Sequence, residues 1–179
     1  MNETYTMEVA GVTRSLPLCP IGNDTYIAAF IMFSDVELTI ACAKALLERV
    51  PEYDALITAE SKGIPLAYEM ARQSGKNYYL ARKSKKLYMK NAVEVDVKSI
   101  TTANVQKLYL DSGDMEALKG KRVLIVDDVI STGESLRALE ILVEKAQGII
   151  AGKATVLAEG DAADRKDIIF LEKLPIFHK

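Results

Sequence analysis

The chain has few of the residues that mark secreted, metal-binding or membrane proteins. Its two cysteines, Cys19 and Cys42, are too few for a disulfide framework, and no cationic start followed by an apolar signal segment precedes them. We therefore expect a reducing, cytoplasmic location. No stretch reaches the ~20 apolar residues that a membrane-spanning helix needs, so we expect no membrane span. No cluster of histidine, cysteine or carboxylate residues has the spacing of a dedicated metal site.

The chain also lacks a strong excess of either charge. Its formal net charge is −2, whereas a general nucleic-acid binder normally has a basic excess that neutralises phosphates. We therefore expect no nucleic-acid partner. With 179 residues, 49% of them hydrophobic and 27% charged, the chain can bury one substantial core. The absence of internal repeats and low-complexity linkers favours a single domain over residues 1–179.

Apolar runs alternate with amphipathic stretches along most of the chain. Helices are predicted over 35–49 and 64–72, and the buried stripe of the first is predicted to be Val36, Ile40, Ala43, Leu47 and Val50. Alternation at 93–97 predicts a half-exposed strand with an antiparallel partner at 106–110. Other strands are predicted near 5–12, 26–33, 55–59, 78–81, 123–126, 154–157 and 168–171. This rhythm predicts an α/β fold with a mainly parallel sheet, helices on both faces, and ligands at the carboxyl ends of the strands.

The segment 122–135 joins a buried strand to a turn and a helix. It reads Arg-Val-Leu-Ile-Val-Asp-Asp-Val-Ile-Ser-Thr-Gly-Glu-Ser. The apolar run at 123–126 suits a strand that is covered on both faces. Ser131 and Glu134 have the spacing of a capping box, which predicts that a helix begins here. The apolar stripe of that helix is predicted to be Leu136, Leu139, Leu142, Val143 and Ala146.

The end of this strand has the composition of a ribose phosphate site. Unpaired N–H groups at the helix start, together with the helix dipole, can bind a phosphate dianion at residues 131–135. Gly133 lets the backbone approach the ligand closely. Asp127 and Asp128 can accept hydrogen bonds from vicinal sugar hydroxyls. An ordinary capped helix beside two solvated acids would explain any one of these features, but the complete string favours a ribose phosphate.

Two further segments carry positive charge. Residues 60–63, Glu-Ser-Lys-Gly, connect the strand at 55–59 to the next helix, where Lys62 and the helix start favour anions. An ordinary turn would also explain this tetrapeptide. Residues 82–86 contain four cations, whose mutual repulsion predicts a loop that becomes ordered when an anion arrives. A solvated hairpin tip is the simpler explanation, and a lid over a ligand is the functional one.

Together these segments resemble type I phosphoribosyltransferases, most closely the adenine and xanthine branch. The resemblance implies a parallel sheet with an N-terminal hood over 1–34 and a flexible hairpin lid over 82–110. It implies that Asp127, Asp128 and Lys62 are catalytic. It implies that 5-phosphoribosyl-1-pyrophosphate (PRPP) is bound through its ribose and 5′-phosphate by Asp127, Asp128, Val129, Ile130, Ser131, Thr132, Gly133, Glu134 and Ser135. Pyrophosphate would be bound by Glu60, Ser61, Lys62, Gly63, Arg82, Lys83 and Lys86, with an unusual peptide geometry in the first of these loops.

The acceptor base is less well defined by the sequence. The resemblance favours purine salvage with adenine as the first choice, and it suggests Arg14, Leu18 and Ile130 near the base, although Ile130 could equally belong to the core. Xanthine, hypoxanthine and orotate remain alternatives, as does a noncatalytic regulator that senses PRPP. The resemblance also implies Mg²⁺ bound with PRPP rather than by a dedicated protein site, and a homodimer.

Two departures from the family pattern concern charge. Glu134 stands where many relatives have a second glycine, which places a negative charge beside the proposed phosphate. Lys62 stands where adenine-type relatives commonly have arginine, so the charge is kept while the two-pronged hydrogen bonding of a guanidinium is lost.

Overall fold

The computed structural model describes residues 3–97 and 106–178. Its helices are α1 (Val36–Leu47), α2 (Ile64–Ser74), α3 (Ser112–Leu118) and α4 (Glu134–Lys145), with a 3-10 helix at Gly160–Asp164. Its strands are β1 (Thr4–Val9), β2 (Val12–Gly22), β3 (Thr25–Ala28), β4 (Ala55–Ala59), β5 (Asn77–Ala81), β6 (Val93–Val97), β7 (Gln106–Leu110), β8 (Arg122–Ile130), β9 (Ile149–Glu159), β10 (Ile169–Leu174) and β11 (Ile176–His178).

A five-stranded parallel sheet in the order β10-β9-β8-β4-β5 forms the centre of the molecule. All five residues of β4 are buried, as its continuous apolar sequence predicts for a central strand. Helices α1 and α2 pack on one face, where Leu38 and Met70 contribute to the core. Helix α4 packs on the other face through Leu139 and Leu142. The predicted α/β fold with a parallel sheet flanked by helices is therefore confirmed.

Strand β8 is longer than the sequence predicts, and the following helix begins at a different residue from the predicted one. The strand continues through both acids to Ile130 because β9 pairs with it as far as Ile130 and Ala158. Helix α4 then begins at Glu134 with Gly133 as its N-cap residue, at φ 81°. The predicted capping box, with Ser131 as the cap, is therefore wrong. Glycine takes this position because the left-handed backbone conformation there is unfavourable for a residue with a Cβ.

A separate antiparallel sheet is built from the N-terminal strands, in the order β1-β2-β3-β11. The predicted strand at 26–33 is shorter than expected, since β3 ends at Ala28. The C-terminal strand β11 pairs with β3, and it was not predicted from the sequence. A three-residue strand has too few positions for a recognisable alternation. Most of the proposed hood segment therefore lies in this sheet.

The buried face of α1 differs from the predicted stripe. Asp35 caps the helix, and its carboxylate accepts a hydrogen bond from the Leu38 N–H. Val36 is 69% exposed and Ile40 is 43% exposed, so neither belongs to the core as predicted. The buried residues are Leu38, Thr39, Cys42, Ala43 and Leu46. Because apolar residues occur around much of this helix, the spacing alone could not identify the face that packs on the sheet.

Strands β6 and β7 pair antiparallel, as the alternating valines predict. Residues 98–105 of the proposed lid lie outside the described residues, and the flexibility of the lid stays a prediction. Helix α3 follows β7 directly and was not predicted, because its seven residues contain few apolar positions. In the part of the chain that the structure describes, none of the helices combines the length and the apolar character needed to cross a membrane.

Candidate functional site

Two adjacent acids occupy the carboxyl end of β8. Asp128 is 2% exposed, and its Oδ2 lies 3.5 Å from Nζ of Lys62. That oxygen has no hydrogen-bond partner among the described residues. The backbone N–H of Asp128 donates to Oδ1 of Asp127 at 2.9 Å. A buried carboxylate oxygen that has an ion pair but no hydrogen bond is incompletely solvated, and it can therefore accept a hydrogen bond from a ligand hydroxyl.

The two carboxyl groups also affect each other electrostatically. Burial raises the pKa of Asp127 well above its ordinary value, and the negative charge of Asp128 raises it further. The Lys62 ammonium acts in the opposite direction. Desolvation and a neighbouring like charge both penalise the ionised form of a carboxyl group. A ligand that donates hydrogen bonds to this pair would relieve part of that penalty.

Gly63 brings the loop after β4 against the end of β8. A Cβ atom on this glycine would lie 2.3 Å from Oγ1 of Thr58 and 2.9 Å from Oδ1 of Asp127. Only a residue without a side chain fits there. The peptide bond between Glu60 and Ser61 is cis, in agreement with the unusual geometry expected for this loop. Residues 60–63 and the acids of β8 therefore form one continuous surface.

Glu60 connects this loop to the basic segment that follows β5. Its Oε2 accepts hydrogen bonds from the backbone N–H of Lys83 at 2.9 Å and from Nε of Arg82 at 3.2 Å. The Lys83 N–H contributes most to lowering the pKa of Glu60, and the Arg82 charge lowers it as well. The backbone of Arg82 also pairs with Tyr109 at the end of β7. Glu60 therefore fixes the start of the basic segment beside the loop.

The turn between β8 and α4 is exposed at its Ser131 and Thr132. Since Gly133 is the N-cap residue, no side chain of that residue can accept from the first N–H groups of the helix. Those donors and the positive end of the dipole of the 12-residue helix face the turn. The arrangement has the donors needed to bind an anion.

Two adjoining cavities are lined by most of the predicted residues. The larger, of about 220 Å³, is lined by Ala59, Glu60, Ser61, Lys62, Lys83, Leu108, Asp127, Asp128, Val129 and Ser135. The smaller, of about 140 Å³, is lined by Asp127, Val129, Ile130, Ser131, Thr132, Gly133, Glu134, Ser135 and Leu136. They share Asp127, Val129 and Ser135. The acids thus lie between a cavity with two lysines and a cavity at a helix N-terminus.

Comparison with known proteins identifies the family that has this arrangement. A family model described as a phosphoribosyl transferase domain matches residues 36–177. The chain belongs to the phosphoribosyltransferase family. It is 36% identical to an adenine phosphoribosyltransferase of Bifidobacterium longum over 153 residues, which cover 83% of this chain and 77% of that protein. It is 32% identical to a xanthine phosphoribosyltransferase of an Exiguobacterium species over 138 residues, covering 75% of this chain and 70% of the relative.

The fold of this phosphoribosyltransferase agrees with that assignment. The crystal structure of an adenine phosphoribosyltransferase from Thermoanaerobacter pseudethanolicus superposes with a TM-score of 0.68 at 23% identity, covering 79% of this chain and 84% of that chain. At this identity the comparison establishes the fold. Family membership and fold together make the chain an enzyme of the pentosyl-transferring class.

Some predicted site residues of the phosphoribosyltransferase lie away from both cavities. Arg14 does not line either one: its guanidinium contacts Asp35 through Nε at 2.7 Å and Glu37 through Nη2 at 2.7 Å. These contacts join β2 to the start of α1, and the suggested contact of Arg14 with the base stays a prediction. Leu18 also lies outside the cavities, and it packs against the core. The physical reason is the same for both, because β2 directs these side chains toward α1 and the sheet.

Ile130 lies in both of its predicted surroundings, whereas Lys86 lies outside the two cavities. Ile130 is buried in the core beneath α4, and it forms only part of the wall of the smaller cavity. Its core role is thus the better supported of the two alternatives. Lys86 does not line either cavity, and its Nζ donates to Oγ of Ser84 at 2.6 Å. Arg82 does not line the larger cavity; it forms an ion pair with Glu60, which does.

Several residues at the site of this phosphoribosyltransferase were not predicted from the sequence. Leu108 of β7 lines the larger cavity, and Thr58 of β4 contacts Gly63 closely. Arg165 lies against Gly133. Each belongs to a different element, and none lies within a recognisable motif. Of these residues, Thr58 alone could have been suspected from the sequence, since it is the polar residue in the otherwise apolar strand β4.

The site offers carboxylate oxygens rather than a metal cage. Within residues 3–97 and 106–178, no three His, Cys, Asp or Glu side chains come together as a metal site. Asp127 and Asp128 supply hard oxygen ligands beside the larger cavity, and Oδ2 of Asp128 lacks a hydrogen bond there. Mg²⁺ prefers such oxygens, and it commonly combines few carboxylates with substrate phosphates and water. These residues fit a magnesium ion that arrives with a phosphorylated substrate.

Proposed function

We propose that this phosphoribosyltransferase transfers the 5-phosphoribosyl group of PRPP to a purine base, with adenine as the first choice. The products would be the nucleoside monophosphate and pyrophosphate, and the role would be purine salvage. Adenine phosphoribosyltransferases are frequent among the similar proteins, which supports a purine as the acceptor.

The contact between Gly63 and Asp127 carries this proposal. It packs the loop 60–63 against the paired acids, so that Lys62 lies beside Asp128 at 3.5 Å. PRPP has a phosphate at one end, vicinal hydroxyls in the middle and a pyrophosphate at the other end. A helix N-terminus, two carboxylates and a cationic loop follow in the same order along the adjoining cavities.

The reaction breaks the bond between C1 of the ribose and the pyrophosphate oxygen and forms a bond from C1 to a ring nitrogen of the base. The proton of that nitrogen is released to the departing pyrophosphate or to solvent. Positive charge develops on the sugar, and the electron pair leaves with pyrophosphate. Asp127 and Asp128 would hold the ribose hydroxyls, while the turn 131–135 holds the 5′-phosphate. Lys62 and Lys83 would offset the growing negative charge of the leaving group.

Magnesium enters this proposal only through the substrate. Asp127 and Asp128 are the residues that would contact Mg²⁺, directly or through water, and the ion would neutralise phosphate charge when bound. The carboxylates would then have two tasks, to orient the sugar and to keep the ion near the pyrophosphate. The hairpin 82–110 would act as a lid that excludes water from the sugar centre.

A direct assay tests the function. Purified protein, Mg²⁺ and PRPP would be mixed with adenine, hypoxanthine, xanthine, guanine, orotate and uracil in separate reactions. Nucleotide and pyrophosphate would be measured together, because transfer must release both in equal amounts. We expect the highest kcat/KM with adenine. Turnover with a pyrimidine alone, or with no base at all, would contradict the proposal.

A 6-oxopurine acceptor is the second candidate, since a xanthine phosphoribosyltransferase is among the similar proteins. The two purine classes differ in the donor or acceptor at position 6, and neither Arg14 nor Leu18 lies in the cavities to distinguish them. The same base panel separates the candidates. A noncatalytic PRPP sensor is disfavoured because the chain belongs to an enzyme family.

We further propose a homodimer, from the family resemblance, and a cytoplasmic location, from the low cysteine content. Light scattering after size exclusion would give the mass of the assembly, to be compared with the 19.7 kDa of one chain. A mass of one chain at micromolar concentration would exclude a stable dimer. Fractionation of the source cells would test the location.

A further inference from the structure

Arg165 lies against the glycine at the centre of the phosphate-binding turn. A Cβ atom built on Gly133 would be 2.5 Å from Nη1 of Arg165. The guanidinium therefore occupies the space beside the glycine that a side chain would fill. Arg165 follows the 3-10 helix that ends β9, thirty-two positions further along the chain than Gly133. Folding thus brings a cation to a turn whose own sequence contains none.

An ion-pair network holds this guanidinium in place. Arg165 donates from Nε and Nη2 to the two carboxylate oxygens of Asp167 at 2.9 and 2.8 Å, a two-pronged arrangement. Nζ of Lys153 contacts the same carboxylate at 2.5 Å and Glu140 of α4 at 2.7 Å. The network joins β9 to the helix whose N-terminus forms the phosphate-binding turn. It orients Arg165 so that the remaining nitrogen, Nη1, lies next to Gly133.

Arg165 brings a positive charge close to the smaller cavity. Among the described residues that line the smaller cavity there is no lysine or arginine, whereas Asp127 and Glu134 are acids. A phosphate dianion in that cavity would meet N–H donors but also two nearby negative charges. A guanidinium that contacts Gly133 supplies a compensating positive charge at the back of the turn.

We propose that Arg165 is a positioning residue for the 5′-phosphate: it supports the turn at Gly133 and adds a positive charge beside that turn. This inference rests on the proposed function, because it assigns the turn 131–135 to the 5′-phosphate. It predicts that Arg165 affects ligands that carry this phosphate and leaves binding of free pyrophosphate unchanged.

The test compares Arg165→Gln with Lys166→Gln. Both variants lose one positive charge, at adjacent positions, but Lys166 is exposed and only Arg165 contacts Gly133. Calorimetric titration in the presence of Mg²⁺ would measure binding of ribose 5-phosphate, PRPP and pyrophosphate to each protein. We expect Arg165→Gln to weaken the first two ligands about tenfold, a loss of about 1.4 kcal/mol, and to bind pyrophosphate as the wild type does. Lys166→Gln should bind all three like the wild type.

A conservative variant of Arg165 separates its support of the turn at Gly133 from the effect of its charge. Arg165→Lys keeps the charge but loses the two-pronged contact with Asp167, so it should recover only part of the lost affinity. Thermal unfolding of each variant would show whether it folds. If Arg165→Gln does not fold, Arg165→Lys and Asp167→Asn are measured in its place, and both should weaken ribose 5-phosphate selectively.

The outcomes distinguish this inference from the proposed function. Equal ribose 5-phosphate affinity in wild type and Arg165→Gln would overturn the role of Arg165 while transfer activity could persist. An equal loss of pyrophosphate affinity would also overturn it, because it would indicate a general disturbance of the site. A wild-type protein that binds neither ribose 5-phosphate nor PRPP would overturn the proposed function and this inference together.

Discussion

Gly63 is the residue at which the two halves of the site touch. Its backbone lies against Thr58 and Asp127, so the loop that supplies Lys62 and the strand that supplies the acids depend on one another. The sequence identified Gly63 as part of an anion-binding turn because glycine is common in such turns. It could not show that the space above this glycine is filled by Asp127, since that contact is made between residues 64 positions apart.

Gly63→Ala should therefore damage the protein and its activity together. The added methyl group would overlap Oγ1 of the buried Thr58 and Oδ1 of Asp127. We expect a loss of about 1–3 kcal/mol in the free energy of unfolding and a clear loss of PRPP affinity. Gly113→Ala is the control, because its methyl group would have an ordinary 3.6 Å contact with Asp111. Equal stability and affinity in the two variants would contradict the close packing at Gly63.

The raised pKa of Asp127 predicts how stability depends on pH. An acid whose pKa is higher in the folded than in the unfolded state lowers stability at every pH above its unfolded pKa, because the unfolded chain gives up the proton more readily. Asp127→Asn keeps an oxygen for the Asp128 N–H and removes the charge. It should increase the free energy of unfolding at neutral pH, and the gain should shrink as the pH falls toward the ordinary aspartate value of 3.8.

Urea unfolding of wild type and Asp127→Asn at pH 7 and near pH 4 would measure this difference. Transfer activity should fall in the variant at both pH values, because the amide is a weaker acceptor for the ribose hydroxyls. A variant that is less stable than the wild type at pH 7, or a gain that does not depend on pH, would contradict the burial and charge coupling of the pair.

At the scale of elements, the basic segment after β5 contributes to the larger cavity through one lysine. Lys83 lines that cavity, whereas Lys85 does not. We expect Lys83→Gln to weaken pyrophosphate binding about tenfold, since a charged hydrogen bond is lost. Lys85→Gln removes the same charge two residues away and should have a smaller effect, which decreases further with added salt. If titration with pyrophosphate finds the two variants alike, the basic segment acts through its total charge.

The contact between β2 and α1 gives a second prediction for an element. Arg14 holds Asp35 and Glu37 at the start of α1, and its guanidinium is the largest cause of the lowered pKa of Asp35. Arg14→Gln should lower the melting temperature modestly and leave the KM for the base unchanged. An increase in that KM at unchanged stability would contradict this expectation and support a contact between Arg14 and the base.

The sequence predicted the elements whose pattern is local and continuous. The buried runs of β4 and β8 indicated the parallel sheet, and the acids and glycine after the second run indicated the site. It could not predict where β8 ends, because that depends on pairing with β9 as far as Ile130. The prediction of the buried face of α1 was wrong at Val36 for a related reason. The packing of α1 on the sheet and on α2 determines which face is buried, and the spacing of apolar residues in this helix is compatible with more than one face.

Arg165 is another feature that the sequence alone could not predict. Its contact with Gly133 depends on the geometry of β9, the 3-10 helix and the ion pair with Asp167. No local pattern around Arg165 indicates an anion. Residues that complete a site from a distant part of the chain can be recognised only when the fold has placed them.

At the scale of the whole molecule, the site is one surface made of separate pieces of chain. The loop after β4, the segment after β5 and the turn after β8 come together because their strands are parallel and end at the same edge of the sheet. The two cavities share Asp127, Val129 and Ser135, so a single ligand can occupy both. A ligand that spans them loses its translational freedom once while gaining the contacts of two subsites.

PRPP with Mg²⁺ should therefore stabilise the protein more than either half of the molecule does. At a concentration a hundredfold above its dissociation constant, a ligand adds about 2.7 kcal/mol, which is a rise of about 5–10 °C in Tm for a chain of this size. Ribose 5-phosphate and pyrophosphate, each at the same concentration as PRPP, should give smaller shifts, and ribose alone should give none. Thermal unfolding monitored by circular dichroism measures all four. If pyrophosphate alone gives the full shift of PRPP, the turn 131–135 contributes nothing to binding, and the two cavities are not one site.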